Sequence, residues 1–118
     1  MYATQSLQSD FLEMAIRHFR SHRERCAGST YWQINDTYPT ISWATLDYYG
    51  RWKGAHYVVK RSYGKVISYV ETGADRMARL YVSSDETRPL KLTCRLELIE
   101  QGKGVLHTEC RDCLLYTS

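Results

Sequence analysis

The chain has 118 residues, enough for one small domain, and its 43% hydrophobic and 25% charged positions are the balance of an ordinary globular protein. Its formal charge of +3 comes from basic residues scattered along the sequence rather than gathered in a block, which excludes a nucleic-acid partner from the expectations. No apolar run approaches the roughly 18 residues that cross a bilayer, and the amino end lacks the charged-then-apolar layout of a signal peptide, so no membrane partner is expected.

From Ser6 to about Arg25 the residues Leu7, Phe11, Met14, Ala15, His18, Phe19 and His22 recur at three- and four-residue steps. That spacing predicts an amphipathic helix with this row as its apolar face. Asp10, Glu13, Arg17, Arg20, Arg23 and Glu24 fall on the solvated side, Thr4 or Ser6 is placed to cap the start, and Gly28 to stop the end. His18 and His22 have the spacing of metal-binding helices, but Phe19 stands where the zinc-protease pattern requires Glu. Two partly buried rings are expected there instead of a metal site.

Ser29 to Ile34 is a short β-prone run that ends in Asn35-Asp36, and Thr37 to Ser42, with Pro39 inside it, reads as a loop. Three tryptophans and four tyrosines fall between Tyr31 and Lys53. From Gly50 the pattern turns helical again, with Trp52, Ala55, His56, Val59 and Tyr63 on one face. Helix, strand, loop and helix, with polar and aromatic residues collected beyond the carboxyl end of the strand, is the repeating unit of a (β/α) barrel.

Near Gly64 the period changes from 3.6 to 2. Val66 to Glu71, Met77 to Val82, Leu90 to Leu98 and Val105 to Glu109 read as strands, separated by the turn-forming stretches Thr72–Asp75, Ser84–Pro89 and Gln101–Gly104. Such a series predicts an antiparallel sandwich of immunoglobulin type, cut short of the roughly seven strands a complete one requires. With no linker-like composition at the joint, the two halves are expected to pack on each other.

Of the four cysteines, Cys94 lies on the apolar side of its strand and reads as a small core residue, while Cys26 closes the first helix. Cys110 and Cys113 have the spacing of half a zinc or redox motif without the context either needs, so no metal or other cofactor is expected. The ending Asp112-Cys113-Leu114-Leu115-Tyr116-Thr117-Ser118 resembles a translated sequencing adaptor, which would make residues 113–118 a non-native tail.

The run Tyr31-Trp32-Gln33-Ile34-Asn35-Asp36, with Ser42-Trp43 and Asp47-Tyr48-Tyr49-Gly50-Arg51-Trp52-Lys53 downstream, resembles the β-mannosidases of glycoside hydrolase family 2. Family members often have Trp where Tyr38 precedes Pro39 here. The resemblance covers most of the chain and implies an α/β plus all-β fold: residues 1–63 as the last βα units of a TIM (β/α)8 barrel, and residues 64–118 as a partial immunoglobulin-like sandwich. It also implies a retaining exo-acting enzyme whose substrate is a mannose-containing oligosaccharide. The resemblance implies that the two glutamates of that chemistry lie on earlier barrel strands, the nucleophile in a Ser-Glu-Tyr/Phe-Gly type motif that is absent here, so this chain is expected to hold no catalytic residue.

The candidate substrate-binding residues are Trp32, Asn35 and Asp36. An indole at a strand end offers a flat apolar platform for the C–H face of a sugar. Asn35 and Asp36 could bond sugar hydroxyls or tie down the following loop, and Asx residues after a strand favour the second role. Trp43, Tyr48, Tyr49, Arg51 and Trp52 are expected in core and interface. Two other readings stand beside this one: a non-catalytic carbohydrate-binding or interaction module, and another family 2 glycosidase such as an exo-β-glucosaminidase.

Overall fold

The structure is a computed structural model that describes residues 2–116; Thr117 and Ser118 of the adaptor-like ending lie outside them, as does Met1. Helix α1 spans Tyr2–Ser21 and α2 spans Gly54–Ser62. Four strands follow: β1 Val66–Thr72, β2 Ala78–Ser84, β3 Leu90–Glu100 and β4 Gly104–Leu115. They form two antiparallel two-stranded sheets, β1 with β2 and β3 with β4. Each strand expected from the alternating pattern is present, and β4 is longer than expected because its second half continues to pair as far as Leu115 with Leu90. Between the hairpins lies a cleft of about 340 Å3 lined by Val66, Ile67, Leu80, Val82, Leu92 and Cys94, among others, so the two sheets face each other without filling the space between them.

Helix α1 departs from expectation at both ends and on its packed face. It already runs from Tyr2, so Thr4 and Ser6 lie within its first turns rather than at a cap. It ends at Ser21, four residues early, because Ser21 Oγ donates to the His18 carbonyl (2.8 Å) and His22 Nδ1 lies 2.9 Å from the same oxygen, local bonds that compete with the helical ladder. The expected apolar row is uncovered: Leu7, Phe11 and Met14 are exposed, and so are His18 and His22, whose rings lie 4.4 Å apart. The buried side is the one with Ser9 and Ile16, against Ala55, Val58 and Val59 of α2. Small residues permit that approach, since a Cβ at Gly54 would sit 3.3 Å from Ser9 Oγ.

The expected strand at Ser29–Ile34 does not form as a strand. Its end makes only an isolated parallel bridge, Asn35 with Leu46. A parallel strand is stable when flanked and covered on both faces, and here one short segment is all that pairs with it. Helix α2 also starts later than expected, at Gly54. Trp52 therefore lies before the helix rather than on it, its ring tilted against His56 at 4.4 Å and edge-on to Tyr57 at 5.1 Å.

The helical and strand-rich halves are joined by Arg20. Its guanidinium, almost fully buried, donates to Ser62 O (2.8 Å), Gly64 O (2.7 Å) and Asp85 Oδ2 (2.8 Å), so one side chain ties α1 to the end of α2 and to the turn after β2. Arg23 bonds the Ser84 carbonyl and pairs with Asp85 at 3.3 Å. Tyr69 on β1 donates to Arg17 O (3.0 Å) and stacks on Tyr81 of β2. Replacing Arg20 by Met should cost about 1–3 kcal/mol, because two sheltered carbonyls lose their donor. Arg20→Lys should recover only part of this, since an ammonium lacks the fork. Asp85→Asn should cost less than about 1 kcal/mol, its carboxylate being half exposed. Urea denaturation of the protein carrying this segment measures all three, and equal losses from Arg20→Met and Asp85→Asn would show that the ion pair, not the carbonyl fork, holds the joint.

Candidate functional site

Three short segments are laced together where the first half of the chain converges. Thr45 N–H donates to Gln33 O (3.1 Å), Leu46 N–H to Ile34 O (2.7 Å) and Asp36 N–H to Leu46 O (3.2 Å), which sets residues 33–36 parallel to 45–46. The chain then reverses. Gly50 takes a positive φ of 76°, its N–H reaches Asp47 O (3.0 Å), and Leu46 bridges Trp52 antiparallel while Lys53 N–H donates to Thr45 O (2.9 Å).

The Asp47 carboxylate organises that reversal by accepting the Tyr49 and Arg51 N–H groups (2.9 and 2.8 Å) and Arg51 Nε (2.6 Å). Burial works against its ionisation, yet the Arg51 N–H, the Arg51 guanidinium and the Tyr49 N–H together hold its carboxyl below the usual carboxylate range. Thr45 is fully buried at the centre, and its hydroxyl is within bonding distance of Ile34 O (3.2 Å), His56 Nδ1 (3.1 Å) and Tyr31 OH (3.4 Å). A buried hydroxyl thus has partners on the loop, on α2 and on the aromatic run.

On this patch the three candidate residues are placed differently. Trp32 is 76% exposed, just before the laced segment, and its peptide bond to Gln33 is cis. Asn35 is exposed, with Nδ2 3.4 Å from Asp36 O. Asp36 is turned inward: its side chain is 2% exposed, accepts a hydrogen bond from Ser42 Oγ and is paired with Lys53 Nζ at 2.9 Å. The Ser42 hydroxyl, and then the Lys53 ammonium, hold its carboxyl below the usual range. Trp43, Tyr48, Tyr49 and Trp52, expected in core and interface, are all exposed in this chain.

Lys53 and Ser42 are the residues that sequence reasoning passed over. Lys53 lies 17 positions from Asp36, beyond any local pairing rule. A signal did exist: an Asp at a strand end followed by a loop with no basic residue from Thr37 to Trp43 must find its cation elsewhere if it is buried. Of the remaining acids, Glu13 is tied to Arg17 at 2.6 Å along α1. Among the described residues no three His, Cys, Asp or Glu side chains gather as a metal site, and no helix is long and apolar enough to cross a membrane. Cys94 and Cys113 are free thiols with their sulfurs 3.4 Å apart on the β3–β4 hairpin.

No family model matches the chain. Individual proteins do. β-Mannosidase A of Aspergillus terreus is 39% identical over 109 residues, and that of Aspergillus clavatus 35% identical over 111, in each case across 88% of this chain and 12% of the relative. The chain therefore spans about an eighth of the length of the curated relatives it matches. Among solved structures, the β-D-mannosidase of Dictyoglomus thermophilum matches 98% of this chain and 15% of its own, with a TM-score of 0.73 and 23% identity, a likeness of fold. By these sequence relationships, and by the Tyr31–Asp36 run that pointed the same way, the chain is homologous to a stretch of the β-mannosidases.

Proposed function

We propose that this chain is a piece of a retaining exo-β-mannosidase and forms part of the wall that binds the terminal mannose of an oligosaccharide. In this reading residues 1–63 are the carboxyl-terminal end of a TIM barrel and residues 64–118 the start of an immunoglobulin-like sandwich. The observation that carries it is Trp32, an exposed indole fixed beside a laced segment whose polar groups already have partners. A flat apolar face exposed beside ordered polar groups suits a sugar ring, which stacks its C–H groups on the indole and turns its hydroxyls outward. The uncovered row Leu7, Phe11 and Met14 on α1 agrees with the same reading, as a helix face awaiting a neighbouring barrel helix.

Retaining hydrolysis needs two carboxyl groups about 5 Å apart, one free to attack and one to shuttle a proton. Glu13, Asp36 and Asp47 are each engaged with a basic partner in this chain. In this reading both reacting groups come from other parts of the enzyme, as the absence of a Ser-Glu-Tyr/Phe-Gly type motif implies, and this segment's contribution is binding. The 118-residue chain alone should hydrolyse no aryl β-mannoside; activity that tracked the purified chain through a sizing column would overturn the assignment of a binding role. In the enzyme carrying the segment, Trp32→Ala removes a large stacking surface worth about 1–3 kcal/mol, so kcat/KM for an aryl β-mannoside should fall about tenfold to a hundredfold. A variant that lost melting temperature but kept full kcat/KM would make Trp32 a packing residue and remove the main support for the proposal.

A further inference from the structure

We infer that Lys53 is a positioning residue for the sugar-binding wall, its ammonium pinning both ends of the 37–41 loop so that the aromatic side chains around it are held in place. The inference rests on the sugar-binding reading above and names the residue that reading lacks.

Backbone bonding leaves this loop to itself. Among the described residues the lacing bonds stop at Asp36 and resume at Thr45. What closes the gap is a ring of side chains. Lys53 Nζ donates to Asp36 Oδ2 (2.9 Å) at the loop's start and to Ser42 O (3.4 Å) at its end. Ser42 Oγ donates to Asp36 Oδ1 and in turn accepts the Ala44 N–H (3.0 Å). The Lys53 side chain is 14% exposed, so the pair lies under the loop and not on the surface. Lys53 itself is fixed by its backbone bond to Thr45 and by its place as the residue preceding α2.

Removing the ammonium leaves a sheltered carboxylate with one hydroxyl for company. The cheapest relief is for Asp36 to swing into water, which drags the loop from its base. The exposed residues Tyr38 and Ile41 would move with it, relative to Trp32, which precedes the laced segment, while Gln8 Nε2 still donates to Trp43 O (2.6 Å). A wall that loses its shape loses affinity for the sugar before and during reaction alike, which appears as a raised KM.

The test uses the full-length enzyme carrying this segment, with p-nitrophenyl β-D-mannopyranoside as substrate. Lys53→Met should raise KM about tenfold while kcat stays within about threefold, and Lys53→Arg should recover most of the loss. The double variant Asp36→Asn with Lys53→Met should be no worse than Lys53→Met alone, because the stranded charge has gone too. A second readout needs no activity: thermolysin cleavage at the Thr40–Ile41 bond, next to a side chain that is 90% exposed, should quicken about tenfold in Lys53→Met well below its melting temperature, and not in Lys53→Arg. An unchanged KM or an unchanged cleavage rate in folded Lys53→Met overturns the inference, and a lowered melting temperature with wild-type KM assigns Lys53 to stability alone. Wild-type enzyme inactive on the mannoside overturns the proposed function instead, and the thermolysin arm then decides the pinning of the loop by itself.

Discussion

A carboxylate taken out of water must keep its counter-charge and fill its remaining lone pairs, and Asp36 imposes that demand on the whole first half of the chain. Its cation has to arrive from Lys53, which is possible only if residues 45–53 double back beside residues 33–36. The reversal depends in turn on Asp47 gathering the N–H groups of Tyr49 and Arg51, and on a glycine at position 50 whose positive φ other residues rarely take. Thr45, buried beneath, sets the depth at which the returning strand lies, because its hydroxyl meets Ile34 O and His56 Nδ1 at once. One charge, one turn and one hydroxyl thus fix the place where Trp32 leaves the protein surface.

The second half is anchored to the first by a different logic. The hairpins β1–β2 and β3–β4 bury little of their own surface, with Tyr69 and Ser83 the buried residues among their strands. Two-stranded ribbons are marginal unless something packs against them. The β1–β2 hairpin finds that support through Tyr69 and through the Arg20 fork at Ser62, Gly64 and Asp85. A guanidinium suits this junction because it can serve two carbonyls and a carboxylate in one plane, which an ammonium cannot reproduce.

The regular elements were legible because each follows a period. The alternation Leu90, Leu92, Cys94, Leu96 gave β3, and the turn residues at Gly73 and Gly102 gave both hairpins. Helix α1 was legible as a helix, but its packed side was not: hydrophobic periodicity names the face that some partner covers, and α2 chose the Ser9–Ile16 side, where small residues allow close approach. The Ser29–Ile34 strand was over-read for a related reason, since β-propensity reports fitness for a sheet and not the presence of one. At the candidate site, Trp32 was expected at the end of a strand, and it stands exposed where no strand forms. Lys53 was not expected there, because an ion pair spanning 17 residues is a property of the fold rather than of any local pattern.

Two of the exposed apolar surfaces lie in the first half of the chain, and their chemistry separates them. The row Leu7, Phe11, Met14 repeats at helical spacing, the composition of a face that packs against another helix. Beside the laced segment that follows Trp32, by contrast, lies a floor in which Asp36, Ser42 and Lys53 satisfy one another through direct bonds and the Thr45 hydroxyl donates to Ile34 O. A packing face has no need of such a floor, since burial alone would hold it. A surface that must stay open to water between encounters has to be rigid before its ligand arrives, because ordering it on binding would consume the affinity that stacking provides. The internal satisfaction of the floor supplies that rigidity, and it is the physical reason why the proposed function assigns the sugar to the aromatic patch rather than to the helix row.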